Sequence, residues 1–230
     1  GGPRVYGSLL QAGIVDDEFL TLCPIVVGAT PDTPRPGLVE GVAFTPTFMG
    51  ADPHEVRDGP HAGWRVLGAE DDKGLALMKS LTAEQQRRAL LGTNAPADVI
   101  AGPGRDKALQ RFEGLRYGEL NADQQALLVS LVEEYVHNYR HDLAHAHLER
   151  IRSAGWDKVW FAWAGPTDPS APYYYRVHGP TLLIEFDNNR PPGRSDGPAN
   201  HIHSVFRDPA NDYGEDLLRK HYEESHRPKP

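Results

Sequence analysis

From Thr181 onward apolar and polar residues alternate. Leu182, Ile184 and Phe186 fall on one face and Leu183, Glu185 and Asp187 on the other, because successive side chains on a strand point to opposite sides. The run ANHIHSVFRD does the same, with His201, His203 and Val205 on one side and Ile202 and Phe206 on the other. Upstream, WDKVWFAWAGP sets Val159, Phe161 and Trp163 against Trp160, Ala162 and Ala164. The segment 173–187 is interrupted by Gly179-Pro180. Proline lacks the N–H that a ladder needs, so this point predicts a bulge, an edge or a bend. FLTLCPIVVG and GVAFTPTFMG read as two further strands nearer the start.

Helical periodicity appears between these runs. An amphipathic helix is expected from about 70 to 81 and a second from 82 to 92, closed by Gly92. Thr82 followed by Gln85 forms a capping box there, with Leu81 placed as a hydrophobic staple. After a loop rich in Gly, Pro and Asp (102–118), the longest helix is expected from Asn121 towards Ser153. Leu127, Leu128, Leu131, Val132, Tyr135 and Val136 begin its apolar stripe, and Leu143, Ala144, Leu148 and Ile151 continue it. A short helix is expected in the tail. Together these patterns predict an α+β fold, a mixed or mainly antiparallel sheet from the C-terminal half packed against several helices.

Bulk composition narrows the function classes. The 230 residues carry 32 acidic and 24 basic side chains, a net charge of −8, with no basic arm, which argues against a nucleic-acid partner. The single cysteine, Cys23, excludes an intrachain disulfide and a thiolate-rich zinc site, and its apolar setting reads as a buried structural thiol. No apolar run reaches the length of a membrane span. No signal peptide is visible in a chain that begins without Met. The expectation is a soluble protein acting on a small molecule, its compartment and oligomeric state undetermined.

Candidate chemistry gathers on the polar side of the C-terminal strands. Glu185, His201 and His203 form a possible 2-His-1-carboxylate metal set, suited to Zn, Fe, Mn or Cu, with His178, Asp187 or Tyr174 completing or orienting it. The same residues also fit a metal-free acid/base site, with His203 or His201 as base and Glu185 orienting it. A third possibility is a hydrogen-bonded cluster in which Asn188, Asn200 and Asp208 satisfy backbone groups. Arg176 and Arg207 suit a substrate carboxylate or phosphate, or equally a salt bridge. As catalytic candidates we therefore take His178, Asp187, Arg176 and Arg207. His137, His141, His145 and His147 recur on the long helix, and a solvated face is preferred there over a metal site. Trp160, Trp163 and Tyr173 to Tyr175 suggest an aromatic-walled cleft, although half of them must face the core. No G-x-S-x-G elbow, Walker A loop or complete G-x-G-x-x-G is present.

Two stretches carry family resemblances. GGPRVYGSLLQAGIVDDEFLTLCPIVVG resembles the C-terminal part of the RibD-type pyrimidine reductases, which implies that Gly1 and Gly2 lie near NADPH phosphates at a helix N-terminus. The rest of that fold is absent, so residues 1–38 are read as a reductase-like fragment or a fusion seam. From 39 to about 222, TPTFMGADPHEV, GPHAGWRVLGAEDD, WFAWAGPTDPSAPYYYRVHGPTLLIEFDN and ANHIHSVFRDPANDYGEDLL resemble the DUF3500 family. That resemblance implies a fold family and no reaction. Residues 39–230 are taken as one α+β domain, N-terminally shorter than the family and carrying the insertion NRPPGRSDGP before Ala199. The function expected is a metal-dependent enzyme, hydrolytic or oxidative. The alternative is a non-catalytic module that binds an anionic or sugar-like ligand in the same pocket.

Overall fold

The computed structural model describes residues 46–102, 104–105, 107–139 and 141–210. Gly1, Gly2, Cys23, the early strand and the tail helix lie outside them. In chain order the elements are β1 (Thr47–Ala51), α1 (Gly68–Ser80), α2 (Ala83–Ala89), β2 (Leu90–Gly92), β3 (Leu115–Arg116), α3 (Ala122–Val136) and α4 (His141–Ala154). The C-terminal strands β4 (Trp160–Ala164), β5 (Tyr173–Gly179), β6 (Leu182–Asn189) and β7 (His201–Arg207) follow. Seven strands among the described residues form one sheet in the order β1-β7-β6-β5-β4-β2, with β3 also on β4. Every pairing is antiparallel except β2 with β4. The chain is therefore an α+β fold, and among the described residues no helix is long and apolar enough to cross a membrane.

Local chemistry explains most boundaries. The Thr82 capping box is formed, with the Thr82 hydroxyl accepting from Gln85 and the Gln85 side chain accepting from the Thr82 amide. Asn121 caps α3 in the same way. Gly179-Pro180 proves to be a hairpin turn, since Gly179 pairs with Leu182 and only Pro180 and Thr181 lie between β5 and β6. Proline at a turn leaves no ladder position without its donor.

Two expected helices are shorter than their periodicity suggested. The second stops at Ala89, and Leu90–Gly92 turns into β2 alongside β4. The long helix breaks after Val136. The amides of Asn138 and Tyr139 bond three residues back, to Tyr135 and Val136, and the Asn138 side chain donates to Glu70 of α1 at 3.1 Å. That contact ties the turn at the break to α1. His137 consequently caps α3 while His141 begins α4, so the histidine row does not share one helix. His137, His141 and His145 are exposed, whereas His147 is buried with its ring edge-on to Phe206.

Helices α1, α3 and α4 cover one face of the sheet. Trp163, Tyr173, Tyr175 and Phe186 line that face as a stacked ladder, with ring centroids 4.9 Å apart for Trp163 and Tyr173 and 5.2 Å for Tyr175 and Phe186. These aromatics belong to the core and not to a cleft wall. Tyr135 of α3 reaches them through its hydroxyl, 2.8 Å from Tyr175 and 3.0 Å from Ser204. Close approach of α1 depends on Gly74, where a β-carbon would lie 2.3 Å from the Tyr175 ring.

Candidate functional site

Strand alternation sends the charged residues to the face opposite the helices. Antiparallel register then lines them up across the strands: Tyr174 with Asp187 and His203, Arg176 with Glu185 and Val205, His178 with Leu183 and Arg207. This face is buried too. Glu185 and Asp187 are 0 % exposed, and Arg176, His178 and Arg207 are at most 5 % exposed. Among the described residues the cover is the long loop at 93–114, whose described residues form no helix or strand and which is anchored to the sheet towards both ends.

The first point is a carboxylate clamp. The Ile100 and Ala101 amides donate to Glu185 at 2.7 Å each, and the Tyr174 hydroxyl donates to the same carboxylate at 2.7 Å. Three donors compensate an ionised carboxylate that burial would otherwise penalise. They also take three of the roughly four lone-pair positions that Glu185 could turn towards a metal. Glu185 is in register with Val205 and not with His203, so the sequence-derived trio of Glu185, His201 and His203 does not converge on one point. His201 instead faces Asp52, with Nδ1 at 3.4 Å, and its ring lies 4.7 Å from that of His203.

A different trio does converge. Asp98, from the loop, lies 2.9 Å from His203 Nδ1, and Asp187 Oδ2 lies 3.9 Å from the same nitrogen. Ligand atoms of Asp98, Asp187 and His203 fall within 4.8 Å of one another, the one such group among the described residues. Asp187 accepts from the His203 amide at 3.1 Å through Oδ1, while its buried Oδ2 has no donor. Burial pushes the Asp187 carboxyl up to about 7, against the His203 amide and, more weakly, the Asn189 side chain and the Val99 amide, while the Asp98 charge adds to the rise. Burial, helped by His201, lowers the His203 pKa and favours the neutral imidazole. Asp98 itself is partly exposed and pairs with Arg105 at 2.7 Å.

The second point lies at the other end of the loop. Glu113 accepts from Arg176 Nη2 at 2.9 Å, and the Phe112 ring lies 4.6 Å from His178. Burial, then the nearby Arg176 charge, lowers His178 to about 4, so it is neutral at physiological pH. Arg207 lies on the same face two strands away.

The residues weighed as structural do pin segments together. Asn200 bridges both backbone groups of Glu55, at 2.8 and 3.0 Å. Asp208 pairs with Arg150 at 2.6 Å, and Asn188 lies on the helix-covered side, reaching the Pro169 carbonyl at 3.4 Å. Sequence reading missed Asp98 and Glu113. Their only signal was a long loop with no secondary structure of its own, a feature that often carries function. A second buried cluster was also missed, where Asp71 accepts from His54 at 2.9 Å, from Arg65 at 2.5 Å and from the Tyr173 hydroxyl. Burial alone would raise the Asp71 carboxyl, but these donors, His54 foremost, hold it below its usual value.

Neither the curated proteins nor the solved structures contain a match to this chain. A family model described as "Protein of unknown function (DUF3500)" matches residues 37–215, which span both feet of the loop and every strand of the sheet. The chain is a member of the DUF3500 family.

Proposed function

We propose that the loop-covered face is the site of a metal-dependent enzyme, in which Asp98, Asp187 and His203 hold a divalent cation. One observation carries this reading: the fully buried Asp187 keeps an oxygen without a donor, aimed at the point where Asp98 and His203 meet. Two carboxylates brought together in a low-dielectric setting repel, and a cation between them reverses that cost. The cation would take the place of the hydrogen bond between His203 Nδ1 and Asp98. Two oxygen donors and one imidazole suit Mn, Fe or Zn better than a soft-ligand metal, with Cu also possible on the nitrogen side. A metal there supplies Lewis acidity and open coordination positions, the requirement common to hydrolytic and oxidative chemistry. Around it the chain's own residues have separate roles. Glu185 and Tyr174 anchor the loop, and Asp187 positions the His203 strand through the His203 amide.

A second reading rests on the same carboxyl. A group pushed up to about 7 exchanges protons readily near neutrality, so Asp187 with His203 would also serve as a metal-free acid/base pair. Elemental analysis of the full chain purified without chelator separates the two. The metal reading expects close to one divalent ion per chain, lost in His203→Ala and in Asp187→Asn with the fold intact by circular dichroism. Glu185→Gln should keep its metal while melting earlier. A parent protein that remains empty after reconstitution with each of Mn, Fe, Zn and Cu would overturn the metal reading in favour of the acid/base pair.

A further inference from the structure

The cationic end of the covered face is separated from the Asp98, Asp187 and His203 cluster by the Glu185 clamp, and the inference drawn from it needs no metal. Arg176 lies in the central strand β5, between Ala162 of β4 and Glu185 of β6. It is 1 % exposed. A guanidinium at that depth requires anionic or carbonyl acceptors around its fork. Glu185, its neighbour in register, is already engaged by Ile100, Ala101 and Tyr174. The carboxylate that Arg176 does meet is Glu113, through Nη2, and the guanidinium also lies against the Tyr174 hydroxyl. Its Nε is buried and has no acceptor among the described residues.

Depth distinguishes the two partners. The cation is fixed by the sheet and buried, whereas Glu113 is 51 % exposed and comes in from the solvent side at the end of the loop. Phe112, next to it, leaves 46 % of its surface exposed while its ring rests against His178. Arginine recognises a carboxylate best through two parallel N–H bonds, and one of its two forks is the pair Nε and Nη2. Glu113 uses only half of that fork.

We propose that Arg176 forms a seat for the carboxylate of a small-molecule ligand, and that Glu113 is an internal competitor occupying half of that seat. The ligand carboxylate displaces Glu113 and takes both Nε and Nη2. Phe112, next to Glu113 on the loop, then borders the seat on its solvent side. Because the competitor is tethered, it lowers the apparent affinity of any free carboxylate by the fraction of time it is seated.

The test follows the Arg176 Nε–H resonance in the full chain by nitrogen-15 NMR, assigned by its loss in Arg176→Lys. Sodium acetate and, separately, sodium phosphate are titrated into the parent, Glu113→Ala and Glu113→Gln. The glutamine variant retains a neutral acceptor in case the alanine variant folds poorly. Acetate is expected to move the resonance saturably, with an apparent Kd at least about tenfold lower in the Glu113 variants than in the parent. A resonance that acetate leaves in place in both variants would overturn the seat and make the pair purely structural. Equal affinity in parent and variants would remove the competitor role. Phosphate binding more tightly than acetate would overturn the carboxylate assignment. His203→Ala should leave the titration unchanged, so failure of the metal reading and failure of this one are read separately.

Discussion

At the scale of single residues, the covered face is held by how completely each buried charge is answered. Glu185 has three donors at hydrogen-bonding distance, so its burial is compensated group for group. Asp187 is not answered to that degree, and burial shows in its raised pKa. The buried histidines are treated in the opposite sense. Burial, with Arg150 nearby, lowers His147 to about 4, and burial with Arg176 and Arg207 does the same to His178, against the opposing Arg111 backbone and Glu113. An imidazole whose folded pKa lies below its unfolded value contributes stability that is complete above about 6.5 and is lost as pH falls towards 4. Each of the two should therefore withdraw about 2 kcal/mol between pH 8 and pH 5. Asp187 runs the other way, gaining stability as pH falls through 7, so the slope has to be compared between proteins. In urea unfolding, His147→Asn should lose about 2 kcal/mol less than the parent over that interval. Parallel pH profiles for the two proteins would show that His147 is not held neutral.

At the scale of elements, the chain's pattern announces whatever repeats over short distances. Alternation placed Leu182, Ile184 and Phe186 opposite Glu185 and Asp187, and it separated His203 from Ile202, all as observed. The Thr82 capping box announced itself because its partners are three residues apart. The break after Val136 did not, since the apolar stripe continues through it and the Asn138 contact that secures it reaches 68 residues away, to Glu70. Asp98 was hidden for the same reason, with His203 105 residues distant. Glu185 looked like a ligand because spacing along a strand shows which side a carboxylate faces and not which donors meet it there. The seating of α1 adds a packing constraint of the same long-range kind. Alanine at position 74 gains roughly 1 kcal/mol of helix propensity, yet its β-carbon would meet a Tyr175 ring that is stacked on Phe186 and tied by its hydroxyl to Tyr135 and to the Glu70 carbonyl. Gly74→Ala should be destabilising by about 1–3 kcal/mol in chemical denaturation. A neutral or stabilising result would mean that α1 slides without loss.

At the scale of the molecule, the described residues cover the two sides of the sheet by unlike means: helices α1, α3 and α4 on one, the loop between β2 and β3 on the other. The loop is held at Ile100 and Ala101 by a carboxylate 85 and 84 residues further along the chain. Those two amides belong to no strand or helix, yet their protons are handed to a group with no access to water. Hydrogen exchange should therefore find them as slow as the amides of the central strands, and far slower than the exposed stretch that follows. In Glu185→Ala they should exchange at loop rates while the strand amides stay protected. Rapid exchange at both positions in the parent would mean that the face opens to solvent far more often than its burial implies. Slow exchange would make two loop amides the native reporters of when the covered face is assembled.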